Sequence, residues 1–293
     1  MQYSIENDIL RLTVDSHGAE PVSVIHKPTG AELLWQADPA VWKRHAPILF
    51  PYTGKLTGGK MLAKGVEYAG GQHGFARDVE HTMTHHADNL LEFELHANAE
   101  TLPKWPYAFV LRSTFTLEGE TVHHTLTVEN PVEDKLCFGI GYHPAFALPF
   151  DDRHVTEDYE IRFDGVESPL CVSAQPNGLL NGQSYYLARN VEAIQLTDDL
   201  FDNDSHAMVN LRSAHVSVIE KDTGRSVICD VCCCQALFAQ QHTPKDYILV
   251  FHSINFNETW THETFETIRT TFTAEGYLVR GEELQIPAIK DTA

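Results

Sequence analysis

The stretch FVLRSTFTLEGETVHHTLTV, Phe109 to Val128, decides the fold class. Phe109, Leu111, Phe115 and Leu117 fall on one face of a period-two pattern, with Arg112, Thr114 and Thr116 on the other. After Glu118-Gly119-Glu120 the alternation resumes, with Val122, His124, Leu126 and Val128 set against His123, Thr125 and Thr127. Successive side chains of a strand point to opposite faces, so two such runs around a glycine-containing turn predict an antiparallel hairpin.

The same alternation recurs on both sides. Leu91-Phe93-Leu95, Val216-Val218 and Val227-Cys229-Val231 read as half-buried strands. Lys27-Pro28-Thr29-Gly30, Gly58-Gly59 and Asp222-Thr223-Gly224 supply turns between them. One helical turn is expected at Asp38-Pro39-Ala40-Val41-Trp42, with Asp38 as cap and Pro39 in the first helical position. No long 3.6-residue period, fixed repeat, low-complexity run or linker interrupts the pattern. Residues 1–293 are therefore expected to form a single all-β domain, an antiparallel sandwich of curved sheets.

Composition narrows the partners. The 293 residues carry 21 Lys+Arg against 41 Asp+Glu, a formal charge of −20, with 43% hydrophobic residues to build a core. That balance disfavours duplex nucleic acid, whose binding depends on clustered cations, and adhesion to anionic lipid. The first residues, MQYSIENDILRLTV, show no basic segment leading into an apolar core, and runs such as YILVF at 247–251 are too short to span a bilayer. A cytoplasmic location with reduced thiols is expected. The expected partner is a small molecule, with no nucleic acid or membrane, and the chain is expected to be a monomer or homodimer.

Four stretches combine reactive polar groups with Gly, Pro and aromatic residues: Trp35 to Leu56, HGFARD (His73 to Asp78), GIGYHPAF (Gly139 to Phe146) and LFDND (Leu200 to Asp204). Aromatic faces can cover the C–H surface of a sugar ring while His, Arg and Asp satisfy its hydroxyls. Taken singly, each stretch reads more simply as a loop with a satisfied His or Asp. CDVCCC at 229–234 has one C-x₂-C pair and no second half, so its thiols read as core packing rather than as a zinc site. His85-His86 and His123-His124 alternate on strands and suit chelation poorly. Trp105-Pro106-Tyr107 reads as the aromatic start of a strand. No metal and no cofactor is expected.

In this order the four stretches, with Gly18-Ala19-Glu20, Trp35-Gln36-Ala37-Asp38-Pro39 and APILFPYTGKL, resemble the aldose 1-epimerase (galactose mutarotase) superfamily, in its LacX-like branch. The resemblance implies a galactose-mutarotase-like β-supersandwich that interconverts the α and β anomers of a free hexose without a cofactor. It also implies site residues. His143 matches the general acid and His73 a second histidine that contacts substrate. Arg77 and Asp78 are candidates for orienting hydroxyls, with a local turn pair as the plainer alternative. Asp204 matches an acidic residue that binds hydroxyls, with a loop cap as its alternative. Lys55 stands where the LacX-like pattern has Arg, and supplies charge without the planar fork.

The general base is left open. The superfamily places a Glu at the end of a late apolar strand, and the register of YILVFHSINFNETW puts Phe251 there. His252 is its neighbour and Glu258 the nearest downstream carboxylate. Two alternatives follow: a sugar-binding relative with impaired catalysis, or a hexose-6-phosphate 1-epimerase. An interaction module is a third.

Overall fold

The hairpin read from the sequence lies near the middle of a nine-stranded antiparallel sheet. Val110–Glu118 pairs with Thr121–Glu129 through a turn at Gly119-Glu120. The computed structural model describes residues 1–133, 136–174, 177–202 and 205–231, together with the backbone of strands at 236–243, 246–252, 259–260 and 265–273. The sheet runs in the order Val191–Gln195, Tyr159–Glu167, His215–Glu220, Ser226–Asp230, Phe265–Thr273, Thr121–Glu129, Val110–Glu118, Leu90–His96 and Thr82–Ala87. A four-stranded sheet built from residues 2–32 and a five-stranded sheet from residues 170–252 complete the main layers.

Alternation explains the core. Leu111, Ser113, Phe115 and Leu117 are buried on one strand of the hairpin, as are Val122, His124, Leu126 and Val128 on the other. These inward faces split between two apolar clusters. Phe115, Leu117 and Val122 pack with Ile5, Leu10, Leu12 and Val14 of the N-terminal sheet. Leu111, Leu126 and Val128 pack instead with Ile48, Phe50, Phe75 and Trp105. The two polar residues on the inward face satisfy each other, since Ser113 Oγ and His124 Nε2 lie 2.8 Å apart. An unpaired buried polar group would cost about 1–3 kcal/mol.

Other expectations find their places. The turn at Asp38 forms, with Asp38 Oδ1 accepting from Ala40 N–H and its carbonyl from Trp42 N–H, but it does not continue as a helix. Trp105 is buried against Phe50 at 5.4 Å between centroids, so it belongs to the core. Cys171 and Cys229 are buried free thiols, whereas Cys137 is exposed. Cys232, Cys233 and Cys234 lie outside the described residues. Among the described residues no helix is long and apolar enough to cross a membrane.

Candidate functional site

One short segment gathers the motifs. Residues 45–55 lie between HGFARD and GIGYHPAF and hydrogen-bond to both. On one side the carbonyls of His45, Pro47 and Pro51 accept from the N–H groups of Ala145, His143 and Gly139, and Ile48–Leu49 pairs with Gly141–Tyr142. On the other, the Phe50 carbonyl accepts from Phe75 and Ala76, and the Gly54 carbonyl from His73. Gly74 has no alternative in this crossing: its φ is +71° and a Cβ would stand 2.0 Å from the Phe50 carbonyl oxygen. The glycine of HGFARD is therefore required by a close backbone approach.

This ladder brings His73 and His143 together. Their rings meet edge to face, 5.4 Å between centroids and 79° between planes. Both are largely enclosed, at 5% and 6% exposure. Trp42 stacks on His143 at 4.9 Å and 27°. Trp35 holds that tryptophan in place, its Nε1–H donating to the Trp42 carbonyl at 2.8 Å. Burial, with the Arg77 cation adding to it, lowers the His73 pKa to about 3, which keeps the ring uncharged at neutral pH. His81, whose Nε2 lies 2.9 Å from the Ala76 carbonyl and braces the same turn, is pushed down to about 4 by burial.

The charged residues of HGFARD have fixed partners. Arg77 donates to the Gln72 carbonyl at 2.8 Å, and its Nε lies 4.0 Å from Asp78 Oδ2. Asp78 is held by the Arg44 guanidinium. Arg44 in turn donates to the Arg77 carbonyl and approaches buried Glu20 at 3.6 Å. Glu20 Oε1 accepts from His45 and Ala46 N–H, so the carboxylate of Gly18-Ala19-Glu20 pins the start of the central segment. Lys55 is exposed and donates from Nζ to the Asn177 carbonyl at 2.8 Å. The geometry thus joins His73, His143 and Arg77 in one region and makes Asp78 part of the bracing behind it.

Sequence reading assigned no role to Trp42, Arg44 or Glu20. The aromatic density of WQADPAVW was the available signal for Trp42. Asp204 and Glu258 lie outside the described residues. Of the LFDND loop, Leu200 is held by His206, whose Nε2 lies 2.6 Å from the Leu200 carbonyl. The strand Asp246–His252 runs beside Gly141–Tyr142, with Phe251 in register with Leu237 and His252 with Ala236. The side chains of Phe251 and His252 lie outside the described residues.

A second polar cluster was not foreseen. Asp151, His154 and Glu220 bring ligand-type atoms within 4.8 Å of one another. The Arg225 guanidinium already stands among them, 2.7 Å from Asp151 and 2.6 Å from Glu220. A cation is thus built into the cluster, which reads as an ion-pair network.

The aldose 1-epimerase family pattern matches residues 1–237. The plasmid-encoded protein LacX of Lactococcus lactis subsp. lactis is 32% identical over 238 residues, covering 78% of this chain and 79% of its own. Among solved structures, a galactose mutarotase related enzyme from Lactobacillus acidophilus superposes with TM-score 0.85 at 27% identity, covering 93% of this chain and 97% of its own. A galactose mutarotase-like protein from Lactobacillus casei ATCC 334 gives TM-score 0.82 at 25% identity, with 93% and 99% covered. The family pattern stops short of the strand Asp246–His252, where the sequence register places Phe251. With the family pattern spanning residues 1–237 and the central ladder built from the motifs that first suggested it, this chain belongs to the aldose 1-epimerase family.

Proposed function

We propose that the chain interconverts the α and β anomers of a free hexose by acid–base ring opening. The reaction needs one group to protonate the ring oxygen while another removes the anomeric hydroxyl proton. The C1–O5 bond then breaks, C1–C2 turns, and the aldehyde recloses on its other face as both protons return. His143 is the acid in this reading. Histidine suits the task because its ordinary pKa of ~6.5 lies near working pH, and such a group contributes ~10²–10⁴-fold. Trp42 backs its ring, His73 faces the sugar oxygens, and Arg77 with Asp204 orients hydroxyls. The observation that carries the reading is the enclosed His73–His143 pair in a member of this family.

The neutral hexose is preferred over its phosphate because the cations at the site are engaged: Arg44 with Asp78, Arg77 with the Gln72 carbonyl, Lys55 with that of Asn177. The second reading, a sugar-binding relative with impaired catalysis, is favoured by Phe251 at the position expected for the base. Polarimetry on freshly dissolved α-glucose and α-galactose separates the two. Faster anomer exchange with protein supports catalysis. Saturable sugar binding without faster exchange supports the second reading.

A further inference from the structure

Asn177-Gly178 and Asn181-Gly182 are the two Asn-Gly pairs of the sequence, and both fall in the connection between Leu170–Val172 and Ser184–Tyr186. All four residues are exposed. Both glycines have left-handed backbone, with φ of +77° at Gly178 and +80° at Gly182. Each asparagine Oδ1 accepts from the N–H two residues on, Leu179 at 3.2 Å and Gln183 at 2.8 Å. Such a turn folds the side-chain amide toward the peptide that follows it. With no Cβ on the next residue, the backbone nitrogen there is open to ring closure.

The two pairs differ in what else holds them. Asn181 is fastened to Ser173, donating from its N–H to the carbonyl at 3.1 Å and from Nδ2 to Oγ at 3.0 Å. The Asn177 side chain has no second hydrogen bond among the described residues. Its main-chain carbonyl instead accepts from Lys55 Nζ at 2.8 Å. Lys55 is set for this contact: its backbone bridges to Gln72, and its stem lies along Gly178, where a Cβ would stand 3.4 Å from Lys55 Cδ.

A cation on that oxygen acts on the asparagine twice. The carbonyl shares a peptide group with the Gly178 N–H, so drawing electrons to its oxygen makes the nitrogen easier to deprotonate. After ring closure the same carbonyl is one of two in a cyclic imide, and the ammonium stabilises the oxyanion formed when water adds there. We propose that Asn177-Gly178 is a self-modifying site at which Lys55 promotes conversion of Asn177 to isoaspartate. The Gly178 nitrogen gives its proton to solvent and attacks Asn177 Cγ. The Cγ–Nδ2 bond breaks, and ammonia leaves a five-membered succinimide. Water adds to the former main-chain carbonyl carbon and breaks its bond to the Gly178 nitrogen. The chain then runs through Cβ and Cγ of residue 177, and the former carbonyl carbon carries a carboxylate. That carboxylate forms where Lys55 already donates, so a neutral acceptor becomes the anion of a charge-assisted pair. Gly178 N–H donates to the Ala174 carbonyl at 2.7 Å, and this bond must open before the nitrogen attacks, while the Lys55 bond at the other end of the peptide persists. Water enters and ammonia leaves, with no other reactant. No sugar takes part, so the site stands whether or not the chain is a mutarotase.

The full chain is aged in mildly alkaline buffer at body temperature and digested in acid. Its peptides are read by mass spectrometry with fragmentation that separates 177 from 181, and isoaspartate by isoaspartyl methyltransferase labelling. Residue 177 should gain about one dalton, as an amide becomes a carboxylate, ahead of any gain at 181. Isoaspartate should form a larger share of the product at 177 than in the same chain unfolded in guanidinium chloride, a comparison that needs no variant. Lys55→Met should slow conversion at 177 about two- to fivefold, the worth of an exposed charge contact, and return the product ratio to the unfolded one. Lys55→Arg, which keeps a cationic donor, should convert at nearly the wild-type rate, and Asn181 should be indifferent to both variants. An Asn177 that stays intact while the unfolded chain converts overturns the site, as does conversion led by Asn181. A product ratio equal to that of the unfolded chain, or a rate at 177 untouched by Lys55→Met, overturns the part given to Lys55.

Discussion

The Trp42 indole stacks on His143, 4.9 Å between ring centres, and the His73 ring meets the same imidazole edge to face at 5.4 Å. The stack restricts the imidazole to one plane, which the acid role proposed for His143 requires. Removing the ring while keeping an amide of similar reach isolates that function. His143→Asn is expected to reduce anomer exchange at least ~10²-fold, the low end for a lost general acid, with sugar binding retained. Polarimetric rates and a parallel binding titration check this, and near-full activity in the variant would take His143 out of the mechanism.

Trp42 itself is expected to matter less and in a graded way. An aromatic stack is worth about 0.5–1.5 kcal/mol beyond simple burial, which corresponds to roughly 2–10-fold in rate. Trp42→Ala should therefore lower kcat/KM by up to about tenfold, and Trp42→Phe should keep most of it. Equal rates in all three proteins would show that the stack is packing alone.

Stability should fall steeply in mild acid. His73, His81 and His124 have pKa values pushed down by burial to about 3, about 4 and about 3. Unfolded, each titrates near ~6.5. A depressed folded pKa gives a contribution that is full above the unfolded value and is lost as pH drops toward the folded one. Each histidine then adds a slope of about 1.4 kcal/mol per pH unit below ~6, and three together about 4. Urea midpoints measured between about pH 7 and about pH 4.5 should trace that fall, and His124→Gln should remove about one proton from the slope. A flat profile would contradict the burial of these rings.

How much of this was legible in the sequence depends on whether a residue repeats a period. The hairpin from Phe109 to Val128 did, and every alternating position in it sits as the pattern required. The ladder that builds the site did not. Ile48–Leu49 and Gly141–Tyr142 are strands of two residues each, and their neighbours join through single backbone bonds, too short for any periodicity to register. Resemblance to a family marked HGFARD and GYHPAF as belonging together, but not what clamps them. Asp78 illustrates the limit: its residue type suits a sugar hydroxyl, and only the position of Arg44 shows that it is already engaged. Arg225 and Asp151, 74 residues apart, had no signal at all.

That second cluster should behave as structure rather than as a metal site. Glu220 is fully buried and accepts from Arg225 and Tyr159, so Glu220→Gln, which breaks the pair and leaves the guanidinium short of a partner, is expected to destabilise by about 3 kcal/mol. Prolonged dialysis against a chelator should leave the melting temperature unchanged. The neighbouring His154 works with the opposite sign to the core histidines. Its hydrogen bond to Asp151 raises its pKa, so its contribution is full below ~6.5 and fades as pH rises through the folded value. His154→Gln should accordingly cost more stability at about pH 6 than at about pH 9. A chelator-sensitive melting temperature restored by zinc would instead make Asp151, His154 and Glu220 ligands.

The remaining prediction concerns the base. In the mutarotation proposed above, a second group must take the anomeric proton as His143 gives one to the ring oxygen. The sequence register places Phe251 where the family has a glutamate, and phenylalanine accepts no proton. The backbone puts this position in a strand beside Gly141–Tyr142, the two residues that directly precede His143, with pairing unbroken from Tyr247 to His252. A carboxylate introduced there would complete the acid–base pair. Phe251→Glu is therefore expected to raise the exchange rate above that of the wild type, and Glu258→Gln to leave it unchanged. Exchanging an aromatic side chain for a carboxylate removes packing and can bury a charge, at a cost of about 3–5 kcal/mol for the packing alone. Cooperative unfolding of the variant must be shown before its kinetics are compared, and Phe251→Gln, of similar size and without the charge, serves as its control. The decisive pattern is a rate that rises with Glu and not with Gln at 251. A fast wild type, inactivated by Glu258→Gln and not improved by Phe251→Glu, would move the base to Glu258 and overturn the register that places Phe251 in the glutamate position.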